Sequence, residues 1–126
     1  MSIQDFLEMI EQEGINTSLY PNSFPASTST VNTDICLMLQ VNQGFALSSG
    51  LYDTVISITS RAPSHGLAEA NAQDIQDRLK DRTDLYVGDS QIVRIKAEQV
   101  MPFYEGSDEN KLKYYRVDLR ALVNAG

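Results

Sequence analysis

Tryptophan is absent from the 126 residues, and cysteine and histidine occur once each. One Cys and one His cannot supply the ligand set of a structural zinc site, and a single thiol closes no disulfide within the chain. Basic residues are also scarce: ten Lys and Arg stand against seventeen Asp and Glu, for a net charge of −7. A domain that grips phosphates needs clustered cations, because counterion release drives most of its affinity. The scattered cations here exclude tight nucleic-acid binding, while passage close to DNA without sticking fits the charge. No apolar run is long enough for a membrane span. Met1-Ser2-Ile3-Gln4-Asp5 lacks the basic region and apolar core of a secretory signal. A reducing, cytosolic compartment is therefore expected, with Cys36 in Ile-Cys-Leu-Met-Leu acting as a small buried hydrophobe.

Catalytic signatures are missing as well. There is no phosphate-cradling Gly-rich loop, no nucleophile elbow and no EF-hand pattern. His65 falls at the first turn of a predicted helix, where the dipole disfavours a protonated imidazole, so it reads as a surface or capping residue. Glu105, Asp108 and Glu109 read as a solvated acidic loop in preference to a cation site. No enzyme activity, cofactor or metal is expected.

What is present describes one α+β domain over residues 1–126. Hydrophobic content of 42% and charged content of 21% match an ordinary folded globule. From Ser2 to Glu13, Ile3, Phe6, Leu7 and Ile10 form one apolar helical stripe. Ser2 is the predicted N-cap, Asp5 can return a bond to it, and Gly14 is the predicted left-handed stop. Ile15–Tyr20 reads as a short extended segment. Pro21–Thr33, rich in Pro, Ser, Thr and Asn, is a connector that Phe24-Pro25 can anchor to the body. Asp34–Val41 reads as a strand buried on both faces, and Asn42–Gly50 as a loop or hairpin carrying the apolar Phe45 and Leu47.

The central strand spans Tyr52–Arg61. Thr54, Ile56, Ile58 and Ser60 share one face, and Val55, Ser57, Thr59 and Arg61 the wetter one. Pro63 stops it and Ser64 caps a helix over His65–Asp81. There Ala68, Ala72, Ile75 and Leu79 form the inner stripe, and Glu69, Gln73, Gln76 and Lys80 the outer side. Thr83–Val87 and Gln91–Val100 read as strands joined by the Gly88-Asp89-Ser90 turn, with Val93, Ile95 and Ala97 on the dry face of the second. Phe103–Lys111 reads as an acidic loop. Leu112–Val123 alternates throughout, with Tyr115, Val117, Leu119, Ala121 and Val123 on one side. The whole predicts a mixed, largely antiparallel sheet with two helices packed on it.

These motifs and their order resemble the tail terminator (minor capsid, or tail completion) proteins of long-tailed bacteriophages. The resemblance rests on the N-terminal amphipathic helix, Phe24-Pro25, the apolar strand Ile35–Leu39 and the strand Val55–Ala62 ending in Arg-Ala. It continues through Ala68-x-x-x-Ala72-x-x-Ile75-x-x-x-Leu79, the turn before Ile92-Val93-Arg94, Pro102-x-x-x-Gly106-x-Asp108-Glu109-Asn110, and the Tyr- and Val-rich strand Tyr114–Val123. It covers most of the chain and is strongest after about residue 50. It implies a structural virion protein that forms a homo-oligomeric ring, a hexamer, at the head-proximal end of the tail tube. Such a ring stops tube polymerisation and offers a docking surface to the neck. The implied partners are further copies of the chain, the tail tube protein and a neck or connector protein, with DNA passing through the lumen unbound. The implied location is the virion, with assembly in the host cytoplasm. Candidate interface residues are Phe24 in the connector, Phe45 and Leu47 in the first loop, and Phe103, Tyr104, Glu105, Asp108 and Glu109 in the second. The alternatives are another head–tail connector piece, such as a head-completion or stopper protein, or a small cytosolic ligand-binding or enzymatic α/β domain.

Overall fold

The computed structural model describes residues 1–28, 31–42, 46–48 and 50–125. The predicted α+β architecture is present. An eight-stranded sheet has the path β1-β2-β4-β8-β6-β5, with β3 attached to β4 and β7 to β8. Helices α1 (Ile3–Glu11) and α3 (His65–Leu79) pack on one face. The strands are β1 (Ser18–Pro21), β2 (Cys36–Asn42), β3 (Ala46–Ser48), β4 (Leu51–Ala62), β5 (Tyr86–Val87), β6 (Ser90–Ala97), β7 (Phe103–Ser107) and β8 (Lys113–Asn124). A one-turn helix, α2 (Val31–Asp34), precedes β2. Among the described residues only β1 and β2 run parallel; the remaining pairs are antiparallel.

The sheet is built on two twelve-residue strands, β4 and β8, paired along their whole length from Leu51↔Asn124 to Ala62↔Lys113. Their shared register puts Ile56 and Ile58 beside Leu119 and Val117. With Ala121, Val123, Leu37 and Leu39 they form the dry face, against which Ala72, Ile75 and Leu79 of α3 pack. The stripe Ala68, Ala72, Ile75, Leu79 is fully buried as expected, and the two alanines allow close approach to the sheet. Ser64 caps α3 by accepting from the Leu67 amide, and Ser2 and Asp5 form a reciprocal capping box on α1. Gly14 takes the predicted left-handed conformation at φ 77°. The acidic C-terminal end of α1 finds its cations on another element: Arg78 Nη1 donates to the Glu13 carbonyl at 2.7 Å, and Arg82 pairs with the Glu13 carboxylate.

Four local expectations need correction. Gln76 does not lie on the outer side of α3: it is buried, and its Nε2 donates to the Gln99 carbonyl at 2.6 Å. Val93 is not on the dry face of β6, because a bulge between Ile92 and Arg94 turns it out and leaves Ile92 and Ile95 buried. Phe103–Ser107 is a strand, not part of a loop; it pairs with the first residues of β8, which β6 does not reach. Finally, the wetter face of β4 is polar but closed, since Ser57, Thr59 and Arg61 are all buried.

Candidate functional site

The sheet face opposite the helices carries the features that interior packing does not absorb. Tyr114, Arg116, Asp118, Arg120 and Leu122 of β8 alternate onto it and face Arg61, Thr59, Ser57, Val55 and Asp53 of β4. The two ends of this face are roughly 36 Å apart, at about 3.3 Å per strand residue, and they are built differently.

At the Ala62–Lys113 end the connector is strapped to the sheet. Arg61 sits there, 4% exposed. Its Nη2 donates to the Pro25 carbonyl at 2.9 Å and also to the Thr33 carbonyl. The guanidinium lies 4.8 Å from the Phe24 ring centroid, a cation–π contact. Phe24 in turn packs edge-on against Tyr114 at 5.3 Å. Tyr114 donates its hydroxyl proton to Asp108 Oδ2 at 2.7 Å, and Asp108 Oδ1 accepts from the amides of Asn110 and Leu112 at 2.9 and 3.0 Å. Burial raises the Asp108 pKa, but the bonds from Tyr114, Leu112 and Asn110 outweigh it and hold the carboxyl below its ordinary value. Burial, then the Asp108 bond, pushes the Tyr114 phenol up. Phe24 and Asp108, distant in sequence, are thus joined through Tyr114. Cys36 is buried, as expected, its Sγ donating to the Thr33 carbonyl at 3.3 Å; burial pushes the thiol pKa up.

The β7 edge distributes the other candidates between both faces. Phe103 lies under the Arg116 guanidinium at 4.4 Å, and Glu105 pairs with the same arginine at 2.7 Å. Tyr104 points the other way, with its ring 5.2 Å from His65 and 5.3 Å from Tyr115. His65 meets the Tyr115 hydroxyl at 3.0 Å. Glu109 is exposed on the turn. Glu105 and Asp108 are therefore each engaged separately, and no group of three His, Cys, Asp or Glu is placed to hold a metal ion among the described residues.

Between β6 and β7 a short stretch of β8 has no strand on the edge away from β4, and a side chain takes that place. Gln99 Nε2 donates to the Arg116 carbonyl at 3.0 Å, while its Oε1 accepts from the Asp118 amide at 3.1 Å. The primary amide thus stands in for a peptide group in the ladder. Sequence reading passes over it, because a glutamine in a predicted strand carries no such signal.

At the Leu51–Asn124 end the face is open. Leu47, 60% exposed, joins Leu122, Asp53, Arg120, Arg94 and Lys96 around a depression of about 230 Å³. Its floor is apolar, and its rim mixes Arg94, Lys96 and Arg120 with carboxylates that pair with the two arginines. Arg120 meets Asp53 at 3.2 Å and Glu98 at 2.9 Å, and Arg94 meets Asp81 at 3.3 Å. Lys96 has no carboxylate partner among the described residues. Of the first-loop candidates, Leu47 belongs to this groove, and Phe45 lies outside the described residues.

No family model and no curated protein matches the sequence. The fold does have a solved counterpart. A chain in the virion of a native gene transfer agent particle superposes with a TM-score of 0.63 at 17% sequence identity, over 93% of this chain and 92% of that one. At that identity the likeness concerns the fold, and it extends over nearly the whole of both chains.

Proposed function

We propose that this chain is a structural virion protein of a tailed, phage-like particle and acts as its tail terminator. It forms a ring of identical copies, a hexamer, on the head-proximal end of the tail tube, stops tube growth and presents a surface to the neck or connector protein. It resides in the virion after assembly in the host cytoplasm, and DNA passes through the ring without specific binding. The observation that carries this reading is the near-full-length fold likeness to a chain of a gene transfer agent virion, in line with the sequence motifs from Val55 to Val123. Two further features support it. The candidate site is a set of surface contacts and aromatic clamps, not a cluster of reacting groups. The net charge of −7 suits a lumen that repels DNA and lets it slide.

The test is electron microscopy of the purified protein added to polymerising tail tubes. Rings at one tube end and a fixed tube length are expected. Tubes that grow past their normal length in its presence refute the terminator role. Attachment to head portals with no attachment to tubes would assign it to another piece of the head–tail connector.

A further inference from the structure

A ring of identical subunits needs two different complementary patches on each copy. We propose that the outer edge of strand β7 in one copy pairs antiparallel with the outer edge of strand β1 in the next, so that the sheet runs on from copy to copy. This inference rests on the ring reading above and names its contact.

The registers set both edges at one level. Leu19 of β1 lies beside Leu37, Leu37 beside Ser60, Ser60 beside Tyr115, and Tyr115 beside Tyr104 of β7. In the next row Tyr20, Met38, Thr59, Arg116 and Phe103 line up in the same way. At this end the sheet is therefore the five-strand row β1-β2-β4-β8-β7, and among the described residues neither outer strand has a further strand beside it. Strand β7 runs with β4 and β1 runs against it. A second copy in the same orientation thus brings its β1 to β7 antiparallel, with no shift along the strands. The outward backbone groups match as well. The Asn22 amide bonds inward to the Leu39 carbonyl at 2.8 Å, so by alternation the amide and carbonyl of Leu19 point outward. On β8 the amide and carbonyl of Asp118 face away from β4, and those of Arg116, two residues before, do the same. Phe103, opposite Arg116, then bonds inward, and the backbone groups of Tyr104 point outward, level with Leu19. Both edges carry little charge. Residues 15–22 hold none, and Glu105, the one charged residue of β7, is held by Arg116 at 2.7 Å. Edges that avoid pairing commonly carry lysine. Two copies each carrying −7 repel in most orientations, and these edges let their backbones meet with little charge between them. The pairing sets Tyr20 against Phe103, an aromatic cross-strand pair, and brings the exposed Val100 and Met101 of one copy toward Pro21 of the other. Pro21 and the bulge between Tyr104 and Gly106 keep the ladder short, so side chains supply the rest of the contact.

The test uses the full chain, with and without tail tubes. Across the junction Tyr20 and Phe103 form a non-hydrogen-bonded pair, close enough for a disulfide. A mixture of the Tyr20→Cys and Phe103→Cys chains should give a mixed disulfide dimer under mild oxidation, in far higher yield than either variant alone. A chain carrying both substitutions should give a ladder of linked oligomers. Cys36 is buried and takes no part. In parallel, Tyr104→Pro removes the outward amide and leaves the bonds between β7 and β8, while Tyr104→Ala loses the same side chain and keeps the amide. Self-association by analytical ultracentrifugation should be about tenfold weaker in the proline variant than in the alanine one, the effect of about one hydrogen bond. Circular dichroism checks that each variant is folded. Absence of the mixed dimer, or an equal yield of either variant linked to itself, overturns the edge pairing, and so does equal association of the folded proline and alanine variants. Rings or capped tubes formed all the same leave the ring reading standing. A wild type that stays monomeric and leaves tubes uncapped removes the ring reading and the contact with it.

Discussion

Replacing Arg61 by alanine should release the connector before it unfolds the protein. Arg61 is 4% exposed, and its two acceptors, the Pro25 and Thr33 carbonyls, both belong to the strap that crosses the sheet. Hydrogen bonds from a charged donor contribute about 1.5–3 kcal/mol each, and the contact with Phe24 adds about 0.5–2 kcal/mol. Against this stands the cost of keeping a guanidinium out of water, several kcal/mol, aggravated here because Nε is buried without a hydrogen-bond partner among the described residues. The net loss in Arg61→Ala is then about 2–4 kcal/mol. Because the two carbonyl acceptors and the ring it loses belong to Pro25, Thr33 and Phe24, the loss should appear first as local opening. The amides of Asn22, bonded to the Leu39 carbonyl at 2.8 Å, and Thr28, bonded to Thr33 Oγ1 at 3.1 Å, are the probes. A drop of about 2 kcal/mol corresponds to roughly thirtyfold faster hydrogen exchange. The amide of Ile58, in the middle of β4, should be affected less. Arg61→Met keeps volume against Phe24 and removes the buried charge, so it should cost less than alanine. Unchanged protection of Thr28 and Asn22 in Arg61→Ala, or equal acceleration at Ile58, would refute this account of the strap.

Gln99→Ala should destabilise the chain by about 1–3 kcal/mol, because the Arg116 carbonyl and Asp118 amide lose their bridge. Gln99→Glu should recover little of this, since a carboxylate can accept from the amide but cannot donate to the carbonyl; urea unfolding measures both. The turn before β8 should be acid-sensitive. The folded pKa of Asp108 is lowered, so its contribution is present above the unfolded value of roughly 3.9 and is lost as pH falls through the folded one. The Tyr114 pKa is raised, so its contribution is present below roughly pH 10 and is lost as pH rises through the folded value. Unfolding titrations of wild type and Asp108→Asn should therefore converge as pH drops below about 4. Parallel curves over that range would show that the Tyr114–Asp108 bond does not titrate as described.

Legibility in the sequence followed locality. Helix α1, the inner stripe of α3 and the alternation of β4 and β8 are set by near neighbours in the chain, and periodicity finds them. Strand β1 is four residues long and exists because β2 lies beside it. Strand β7 carries Glu105 and Gly106 behind Pro102, chemistry that reads as a turn. It is extended because β8 outruns β6 and its first residues need a partner. The bulge at Val93 and the burial of Gln76 likewise depend on where β8 and Gln99 lie, which no window of sequence contains. The candidate site shows the same division. Phe24 was identifiable as an anchor, but the buried arginine it packs on was not, since Arg61 looked like the polar end of a half-wet strand. The groove draws Leu47, Asp53, Arg94, Lys96, Arg120 and Leu122 from four strands, and no spacing rule links them.

The strap and the groove also divide the labour on one sheet face. By fixing Phe24 and Pro25 over Arg61 and Tyr114, the chain covers the Ala62–Lys113 end. The opposite end stays open. There Arg120 is held by Asp53 and Glu98, and Arg94 by Asp81, so the charges of the rim largely compensate one another and Lys96 alone lacks a carboxylate among the described residues. One end of the face is thus closed by a buried guanidinium and packed rings, while at the other, ion pairs hold the rim apart and leave the apolar floor of Leu47 and Leu122 uncovered.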